Sequence, residues 1–325
     1  MLLAVVDHDL GNLNKVSLEM LSLAQPVADE LGEPLEAVLI GQVARPLADH
    51  LPAYGVSRVH LVQHAGLEDY APEAWAASIV ELQHTLSPAA IVAPGTERGN
   101  EVLAHVAAIM NLPMAANCAA VRTGDTYTVT RLRWGGSLLE EATLVGEPKL
   151  FSVAAHTIEA SEAAEGGTLD VNTFEPSLED KVFRVRLVER EEAVSDKISL
   201  AEARVVIGGG RGVGSSEGFA PLETLADLLG GAIGGSRVVT NLGWRPHADQ
   251  IGQTGTRIAP DLYIACGISG AIQHMVGCMG SKHILAINTD REAPIMAKAD
   301  YAVIGDLHEI LPALVEAIGN ETDNP

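Results

Sequence analysis

Apolar runs alternate with amphipathic segments along most of this 325-residue sequence, and this alternation is the strongest constraint on its fold. Runs typical of buried strands occupy residues 2–6, 37–40, 59–62 and 90–93, and helical patterns occupy residues 15–31, 44–54, 73–86 and 100–110. A repeated strand–helix order predicts a mostly parallel sheet that is flanked by helices. We therefore predict an α/β fold, with Asp69 and Asn100 as helix N-caps.

The pattern changes after the first four strand–helix pairs. Residues 127–134, 137–144 and 149–154 predict antiparallel strands joined by glycine turns, residues 159–180 predict an acidic loop, and residues 182–188 predict one more strand. Residues 189–202 are charged and lack a clear period, so we interpret them as a linker. We place the domain boundary near Asp196, between an N-terminal α/β domain with an antiparallel extension (1–195) and a C-terminal domain (196–325).

The second half restarts the strand–helix alternation. Strands are predicted over residues 205–207, 238–240, 262–265, 284–288 and 301–304, and helices over residues 221–229, 270–276 and 307–318. Pro221 suits a first helical turn, and Gly230 suits a C-terminal cap. Five strands with short crossovers predict an open, doubly wound sheet, which binds ligands beyond the carboxyl ends of its strands.

Composition excludes several classes of partner. The formal net charge is -22, from 21 basic and 43 acidic residues, which argues against a nucleic acid or an anionic membrane surface. No apolar run reaches the ~18 residues of a membrane helix, so we predict no integral membrane segment. Cys118, Cys266 and Cys278 are too few and too scattered for a disulfide framework or a metal cage. We therefore expect a reducing cytoplasm and no metal ligands.

Two glycine-rich stretches in the second half could hold a phosphate. Residues 208–214, GGGRGVG, allow backbone amides to approach an anion closely, and the following helix contributes partial positive charge. The spacing differs from G-x-G-x-x-G, and no acid follows the next predicted strand, which disfavours an ordinary Rossmann site for NAD. Ser236 and Arg237, ahead of the strand predicted over 238–240, could contact ligand oxygens. The alternatives left open are a flexible turn and a surface arginine.

Three further stretches carry neutral polar groups at predicted strand ends. In the loop 249–255, Gln250, Gln253 and Thr254 suit a heterocycle with carbonyls and ring nitrogens better than they suit a metal. Ser269 is predicted to be an N-cap, with His274 one turn into its helix. The segments Asn288-Thr-Asp290 and Gly305-Asp306-Leu307 follow later strands, where each alone also fits a helix cap. Because these loops share one sheet edge, we predict one long ligand lying across it.

Six stretches occur in the order and at the intervals of a known family: "GGRGVGSSEGF", "GGSR", "QIGQTG", "LYIACGISGAIQHM", "AINTDREAPI" and "ADYAVIGDL". The sequence resembles the alpha subunit of electron-transfer flavoproteins, also called the FixB type, specifically over residues 204–318 and only in architecture over the first 190. The resemblance implies an FAD-bound electron carrier, with no catalytic residue and no chemical change in a dissociable substrate.

The resemblance also implies partners and site residues. The N-terminal domain would pack with a beta subunit that binds AMP or a second FAD; flavoprotein dehydrogenases, such as acyl-CoA dehydrogenases, would donate electrons, and a quinone oxidoreductase or similar protein would accept them. Arg237 would lie near the flavin ring, the Thr254 hydroxyl near flavin N5, and His274 near O2. The full set of implied FAD contacts is Arg211, Ser236, Arg237, Gln250, Ile251, Gly252, Gln253, Thr254, Gly255, Ser269, Gly270, Ala271, Ile272, Gln273, His274, Asn288, Asp306 and Leu307.

The sequence departs from the family pattern near the implied flavin. Thr256 follows "GQTG", where lysine is common, and residues 240–247, TNLGWRPH, replace a "VDAGF" type of segment. These departures leave open an NADH-dependent, electron-bifurcating relative. The rivals from other classes are an NAD(P)-binding module of a dehydrogenase or transhydrogenase, and a non-redox protein that binds a nucleotide as a structural element.

Overall fold

The computed structural model describes residues 1–124, 126–136, 138–163, 169–189, 198–201 and 203–322. The chain forms two compact units, Met1–Glu192 and Ala193–Pro325. Each unit has its own sheet and its own apolar core. The boundary that we predicted near Asp196 lies outside the described residues, as does most of the predicted linker.

The first unit is built on a nine-stranded sheet with the order β11-β5-β4-β1-β6-β10-β7-β8-β9. All neighbours from β11 to β7 pair in parallel, whereas β7-β8-β9 is antiparallel. The strands are β1 Leu2–Val5, β4 Leu35–Ile40, β5 Arg58–Val62, β6 Ala90–Pro94, β7 Met114–Arg122, β8 Tyr127–Arg133, β9 Leu138–Leu144, β10 Lys149–Val153 and β11 Asp170–Phe174, and a separate small hairpin joins β2 His8–Asp9 to β3 Asn12–Leu13.

Helices cover both faces of this sheet because its parallel strands are apolar on both sides. Leu2 and Ala4 belong to the core cluster that includes Met20 of α1 (Val16–Leu31). Leu3 and Val5 face the other way, into the cluster formed with α2 (Pro72–Leu86) and α3 (Glu97–Met110). This alternation confirms the predicted two-faced burial of a parallel sheet.

Several strand predictions in the first unit are wrong. The run 149–153 pairs in parallel with β6 and β7 and is not part of an antiparallel set. Strand β7 was not predicted, and β11 lies inside the predicted loop 159–180. The predicted strand 182–188 is instead a 3-10 turn, Asp180–Phe183, followed by irregular chain. These segments depend on pairing with distant strands, which their own residues do not specify.

Helix starts in the first unit also differ from the prediction. Thr96, not Asn100, caps α3, and its hydroxyl oxygen accepts a hydrogen bond from the amide of Gly99 at 2.9 Å. Helix α2 begins at Pro72 after Ala71, without a side-chain cap, so Asp69 is not its N-cap. Residues Gln42–Tyr54 wind as a 3-10 helix, with Pro46 and Pro52 inside the segment, because proline cannot donate the backbone hydrogen bonds of an α-helix.

The second unit has a five-stranded parallel sheet with the order β13-β12-β14-β15-β16. The elements are β12 Val205–Gly209, α4 Ala220–Leu229, β13 Ala232–Gly235, α5 Arg237–Asn241, β14 Leu262–Cys266, α6 Ile272–Cys278, β15 His283–Asn288, β16 Tyr301–Ile304 and α7 Leu307–Thr322. The predicted doubly wound sheet is therefore confirmed. Gly230 ends α4 with φ of 59°, in the left-handed conformation that the prediction requires.

One strand of the second unit was misplaced. The β-branched run 238–240 is helical, within α5, and the strand is the preceding Ala232–Gly235. Gly234 and Gly235 therefore end this strand, and Ser236 and Arg237 follow it and do not precede a strand. Val239 is fully buried in the core, so its apolar side chain packs equally well from a helix. Helix α6 begins at Ile272 after Ala271, so Ser269 is not its N-cap.

In the described part of the chain, no helix has both the length and the apolar character needed to cross a membrane.

Candidate functional site

The strand order of the second unit creates a switch point at one sheet edge. The chain runs from β12 outward to β13 and then returns to the other side of β12 as β14. The connections that leave the carboxyl ends of β12 and β14 therefore diverge to opposite faces of the sheet and open a crevice between them. The predicted glycine-rich stretch and the predicted segment 269–274 meet at this crevice.

Backbone groups form the walls of the crevice at its narrowest point. The amide of Gly210 donates to the carbonyl oxygen of Cys266 at 2.8 Å, and the amide of Gly212 donates to that of Gly267 at 3.1 Å. A Cβ at Gly210 would lie 2.2 Å from the Gly267 oxygen. Gly267 itself has φ of 63°, which favours glycine. Side chains are therefore excluded where the two connections touch.

A cavity of about 640 Å³ opens beside these backbones. This volume is within the range of about 300–1,000 Å³ that is usual for small-molecule and cofactor sites. The predicted site residues that line it are Arg211, Ser236, Arg237, Gln250, Ile251, Gly252, Gln253, Thr254, Ser269, Ala271, Gln273, His274 and Asn288. The structure thus brings together residues from the connections after β12, β13, β14 and β15.

Other predicted residues lie outside this lining, namely Gly255, Gly270, Ile272, Asp306 and Leu307. The Asp306 carboxylate accepts a hydrogen bond from the His308 amide at 2.9 Å and so caps the start of α7. Leu307 is 5% exposed and packs in the core. Their predicted contact with the adenosine end of a cofactor stays a prediction.

The cavity is also lined by residues that were not among the predicted contacts: Gly212 and Asp290, which lie inside the predicted stretches 208–214 and 288–290, and Val238, Asn241, Gly267, Ile268 and Ala293. Val238 and Asn241 were missed because their segment was predicted as a strand, whereas it is helix α5 at the cavity's rim. Gly267 could have been found from its position just after the strand predicted over residues 262–265. The side chain of Asn288 bridges two backbones, since it donates to the Ile268 carbonyl and accepts from the Asp290 amide, each at 2.9 Å.

Charge in the cavity is sparse and predominantly positive. Arg211 and Arg237 are exposed, and neither forms an ion pair within the described chain. Among the described residues of the lining, Asp290 alone carries a carboxylate. The cavity therefore offers two guanidinium groups to an anionic ligand, in a protein whose formal net charge is -22.

His274 is held inside the cavity wall by a buried tyrosine. Its Nε2 lies 2.8 Å from the hydroxyl of Tyr263, which is completely buried in β14, and Gly208 leaves the space that this hydroxyl occupies. Burial lowers the pKa of His274 to about 4, so its imidazole is neutral near pH 7. Its Nδ1 is buried and has no hydrogen-bond partner among the described residues. The histidine therefore acts as a neutral polar group.

Gln250 forms the floor of the cavity beside Thr254. Residues 250 and 251 run along the edge of β13, where the Ile251 amide donates to the Gly235 carbonyl at 2.8 Å. The Gln250 side chain is 1% exposed, and both ends of its amide are bonded. Its Oε1 accepts from the Thr240 hydroxyl at 3.0 Å, and its Nε2 donates to Thr254 Oγ1 at 2.9 Å. The exposed Thr254 hydroxyl is thus held at the cavity surface.

The groups that line the cavity could bind a polar, uncharged ring and an anionic group attached to it. Amides, hydroxyls and a neutral imidazole can match ring carbonyls and nitrogens, and the arginines and glycine amides can match phosphates. No three His, Cys, Asp or Glu side chains gather in a metal-binding arrangement anywhere in the described ranges.

Comparison with known proteins gives matches over both units. Residues 199–279 match the family model for the electron transfer flavoprotein FAD-binding domain, and residues 2–179 match that for the electron transfer flavoprotein domain. The chain is 36% identical to the electron transfer flavoprotein subunit alpha of Megasphaera elsdenii, covering 95% of this chain and 93% of that one. It is 37% identical to Protein FixB of Clostridium saccharobutylicum, covering 94% and 92%, and 38% identical to the electron transfer flavoprotein subunit alpha of Mycobacterium tuberculosis, covering 97% of each.

Proposed function

Because the chain belongs to the electron transfer flavoprotein alpha-subunit family, we propose that it is a cytoplasmic electron carrier that holds one FAD in the cavity of its second unit. The single observation that carries this proposal is the position of the cavity, at the switch point of a doubly wound sheet and lined largely from the segment that matches the FAD-binding domain. The FAD supplies the redox chemistry, since the isoalloxazine ring can take up and release electrons.

The lining supports this assignment in its details. Glycine backbones at the crevice allow the close approach that a pyrophosphate requires, and Cβ atoms there would collide with the opposite backbone. Arg211 and Arg237 supply positive charge against the anionic exterior. Gln250, Gln253, Thr254 and His274 supply neutral donors and acceptors for the ring. A neutral histidine binds a ring carbonyl without the cost of burying a charge.

Arg237 is the residue that we expect to favour added negative charge on the ring. A guanidinium beside the ring attracts the electron-rich form more strongly than the oxidised form, so it raises the potential of the first electron. An Arg237→Ala variant tests this placement by redox titration. The potential of the first electron falls if Arg237 lies beside the ring and is unchanged if it does not.

The carrier requires protein partners. We propose that its permanent partner is a beta subunit, which binds AMP or a second FAD. The hairpin of β8 and β9 exposes Leu138 and Leu139, by 55% and 69%, which supports a protein partner for the first unit. Flavoprotein dehydrogenases would donate electrons, and a quinone oxidoreductase or a similar protein would accept them. A bifurcating role would depend on a second flavin in the beta subunit, so the residues of this chain do not favour it.

Co-expression with a beta subunit encoded by a neighbouring gene tests the function. The purified complex should be yellow and should release one FAD for each alpha chain, plus AMP or a second FAD from the beta subunit. An acyl-CoA dehydrogenase with its substrate should bleach the flavin absorbance. A colourless complex that takes up no added FAD would contradict the proposal, and a bound nucleotide that dithionite cannot reduce would favour the non-redox rival.

A further inference from the structure

The hydrogen bonds around Gln250 determine the direction in which the Thr254 hydroxyl can point its proton. Gln250 Nε2 donates to Thr254 Oγ1, so a lone pair of that oxygen is already used. The Thr254 proton is therefore not required by Gln250 and is available to an acceptor in the cavity, which Thr254 lines. In this arrangement Thr254 is a donor toward the cavity.

The orientation of the Gln250 amide is in turn fixed by Thr240 of α5. The Thr240 hydroxyl lies 3.0 Å from Gln250 Oε1 and 3.1 Å from the carbonyl oxygen of Arg237. A hydroxyl has only one proton, so it donates fully to one of these oxygens. When it donates to Gln250, the amide oxygen faces Thr240 and the amide nitrogen faces Thr254.

A second arrangement satisfies the same atoms. If Thr240 donates to the Arg237 carbonyl, its oxygen can accept from the amide nitrogen of an inverted Gln250. The amide oxygen then faces Thr254 and takes its proton, so the Thr254 oxygen can only accept from the cavity. Both arrangements leave the Gln250 amide bonded at each end, which matters because this side chain is 1% exposed.

We propose that Gln250 is a positioning residue that determines whether the Thr254 hydroxyl donates or accepts a hydrogen bond in the cavity. A rotation of the Gln250 side-chain amide by about 180° would switch Thr254 between these two roles, one for each redox form of the bound cofactor. The proposal rests on the proposed function, since it requires FAD in the cavity with flavin N5 near Thr254. Oxidised N5 is an acceptor and suits a Thr254 donor. Fully reduced N5 carries a hydrogen and suits a Thr254 acceptor.

The first test uses a cofactor that differs from FAD at one atom. In 5-deaza-FAD a C–H group replaces N5, so the ring cannot accept a hydrogen bond there. Both cofactors are titrated into the cofactor-free alpha–beta complex. The wild-type complex should bind oxidised FAD about 10-fold more tightly than 5-deaza-FAD, because one well-formed hydrogen bond is worth about 1.4 kcal/mol.

The variants separate a positioning role from a structural one. Gln250→Met and Thr254→Val should reduce the preference for FAD to less than about 2-fold, whereas Thr254→Ser should retain it, since serine keeps the hydroxyl. A merely structural role for Gln250 would weaken both cofactors equally and leave their ratio unchanged, which would overturn the proposal. Gln83→Met, in α2 of the first unit, is the matched control and should leave both affinities unchanged.

The second test observes the amide directly. Nuclear Overhauser contacts from the Gln250 side-chain NH₂ should be strongest to Thr254 in the oxidised complex and to Thr240 in the fully reduced one; Gln250→Met identifies the resonance by its loss. One orientation in both redox states would overturn the inversion. If wild-type protein binds neither cofactor, the proposed function fails; if it binds both equally, only the inference fails.

Discussion

The two units contain the same switch point and use it in opposite ways. In the first unit, strands β1 and β6 are neighbours from which the chain leaves in opposite directions, as β12 and β14 are in the second. The crevice beyond β1 and β6 is closed by side chains. The crevice beyond β12 and β14 is walled by glycine backbones and opens into a cavity.

The closure in the first unit is a hydrogen-bond network centred on Asp7. Its carboxylate accepts hydrogen bonds from the Thr96 hydroxyl at 2.8 Å and from the side-chain amide of Asn14 at 3.1 Å. The backbone amide of Asp7 donates to the Ser17 hydroxyl at 2.9 Å. Thr96 also caps α3. The polar groups at this edge therefore bond to one another, and helix start, strand end and carboxylate form one structural unit.

This difference shows that a switch point shared by two sheets supplies a site only where side chains do not fill the crevice between the two connections. In the first unit, the carboxylate and hydroxyl groups at the strand ends hydrogen-bond to one another. In the second unit, backbone amides and neutral side chains line an open cavity. Fold alone therefore does not assign the ligand, and residue choice at the two strand ends does.

The largest expected effect comes from placing a side chain in the open switch point. In Gly210→Ala, the added Cβ would lie 2.2 Å from the Gly267 carbonyl oxygen, which must move together with the start of the connection to α6. We expect FAD to bind at least about 100-fold more weakly, about 2.7 kcal/mol or more. Fluorescence titration of the cofactor-free complex measures this change.

Two matched variants sharpen this prediction. Gly95→Ala places a Cβ 2.3 Å from the Val153 carbonyl, at the switch point of the first unit, and should destabilise that unit while leaving FAD affinity unchanged. In Gly319→Ala the added Cβ would meet no neighbouring group within 4 Å, so this variant should change neither the stability of the first unit nor FAD affinity. Equal losses of FAD affinity in Gly95→Ala and Gly210→Ala would contradict the assigned difference between the units.

Acid should destabilise the second unit through His274. Its pKa is about 4 in the folded protein and 6.5 in the reference state, so the unfolded chain binds an additional proton between these values. Stability is therefore present above pH 6.5 and is lost as the pH falls toward 4, by about 3 kcal/mol in total. In His274→Gln this loss should disappear, as measured by hydrogen exchange in β14 at pH 7 and pH 4.5.

The control for this experiment is His283→Gln, at the exposed start of β15, which should keep the wild-type dependence on pH. If the wild type and His274→Gln lose stability in parallel on acidification, the buried imidazole is not the acid-sensitive group of this unit.

Features of the two units could be predicted from the sequence where a short stretch of residues determines them, and not where they depend on pairing with distant residues. The strand–helix alternation, the parallel sheets and the glycine and amide groups of the cavity follow from local patterns in the sequence. Strand β11 did not, because its residues gain their strand conformation by pairing with β5, which lies more than a hundred positions earlier. Strand β10 was predicted at its position but not in its parallel pairing with β6 and β7, because Lys149 and Ser152 interrupt the apolar run that is typical of an interior parallel strand.

The parts of the site that were predicted best are those in which backbone groups at strand ends line the cavity. The glycines and neutral polar groups at strand ends were predicted from the sequence. Val238 and Asn241 were missed because β-branched neighbours favour a strand, whereas packing of Val239 in the core accommodates a helix. The Tyr263–His274 bond was also not predicted, because the pairing of a strand residue with a helix residue is set by the tertiary fold.

A smaller effect is expected from opening the closed switch point. Thr96→Val removes the hydroxyl that caps α3 and bonds to Asp7, and we expect a loss of about 2 kcal/mol from the stability of the first unit. Urea denaturation monitored in α3 measures it. Thr96→Ser should recover most of the loss, and FAD content should not change in either variant. A fall in FAD content would contradict a purely structural role for this network.

The smallest expected effect is a gain in stability from neutralising the closed network. Burial raises the pKa of Asp7, so its stabilising contribution is full below pH 3.8 and is lost as the pH rises through the raised value. In Asp7→Asn, one amide oxygen can still accept from both Thr96 and Asn14, and no charge is buried. We expect this variant to be about 1 kcal/mol more stable at pH 7 and no more stable than wild type at pH 3, by urea denaturation. A variant that is less stable at pH 7 would show that the charge, held beside Arg98, is what closes the first switch point.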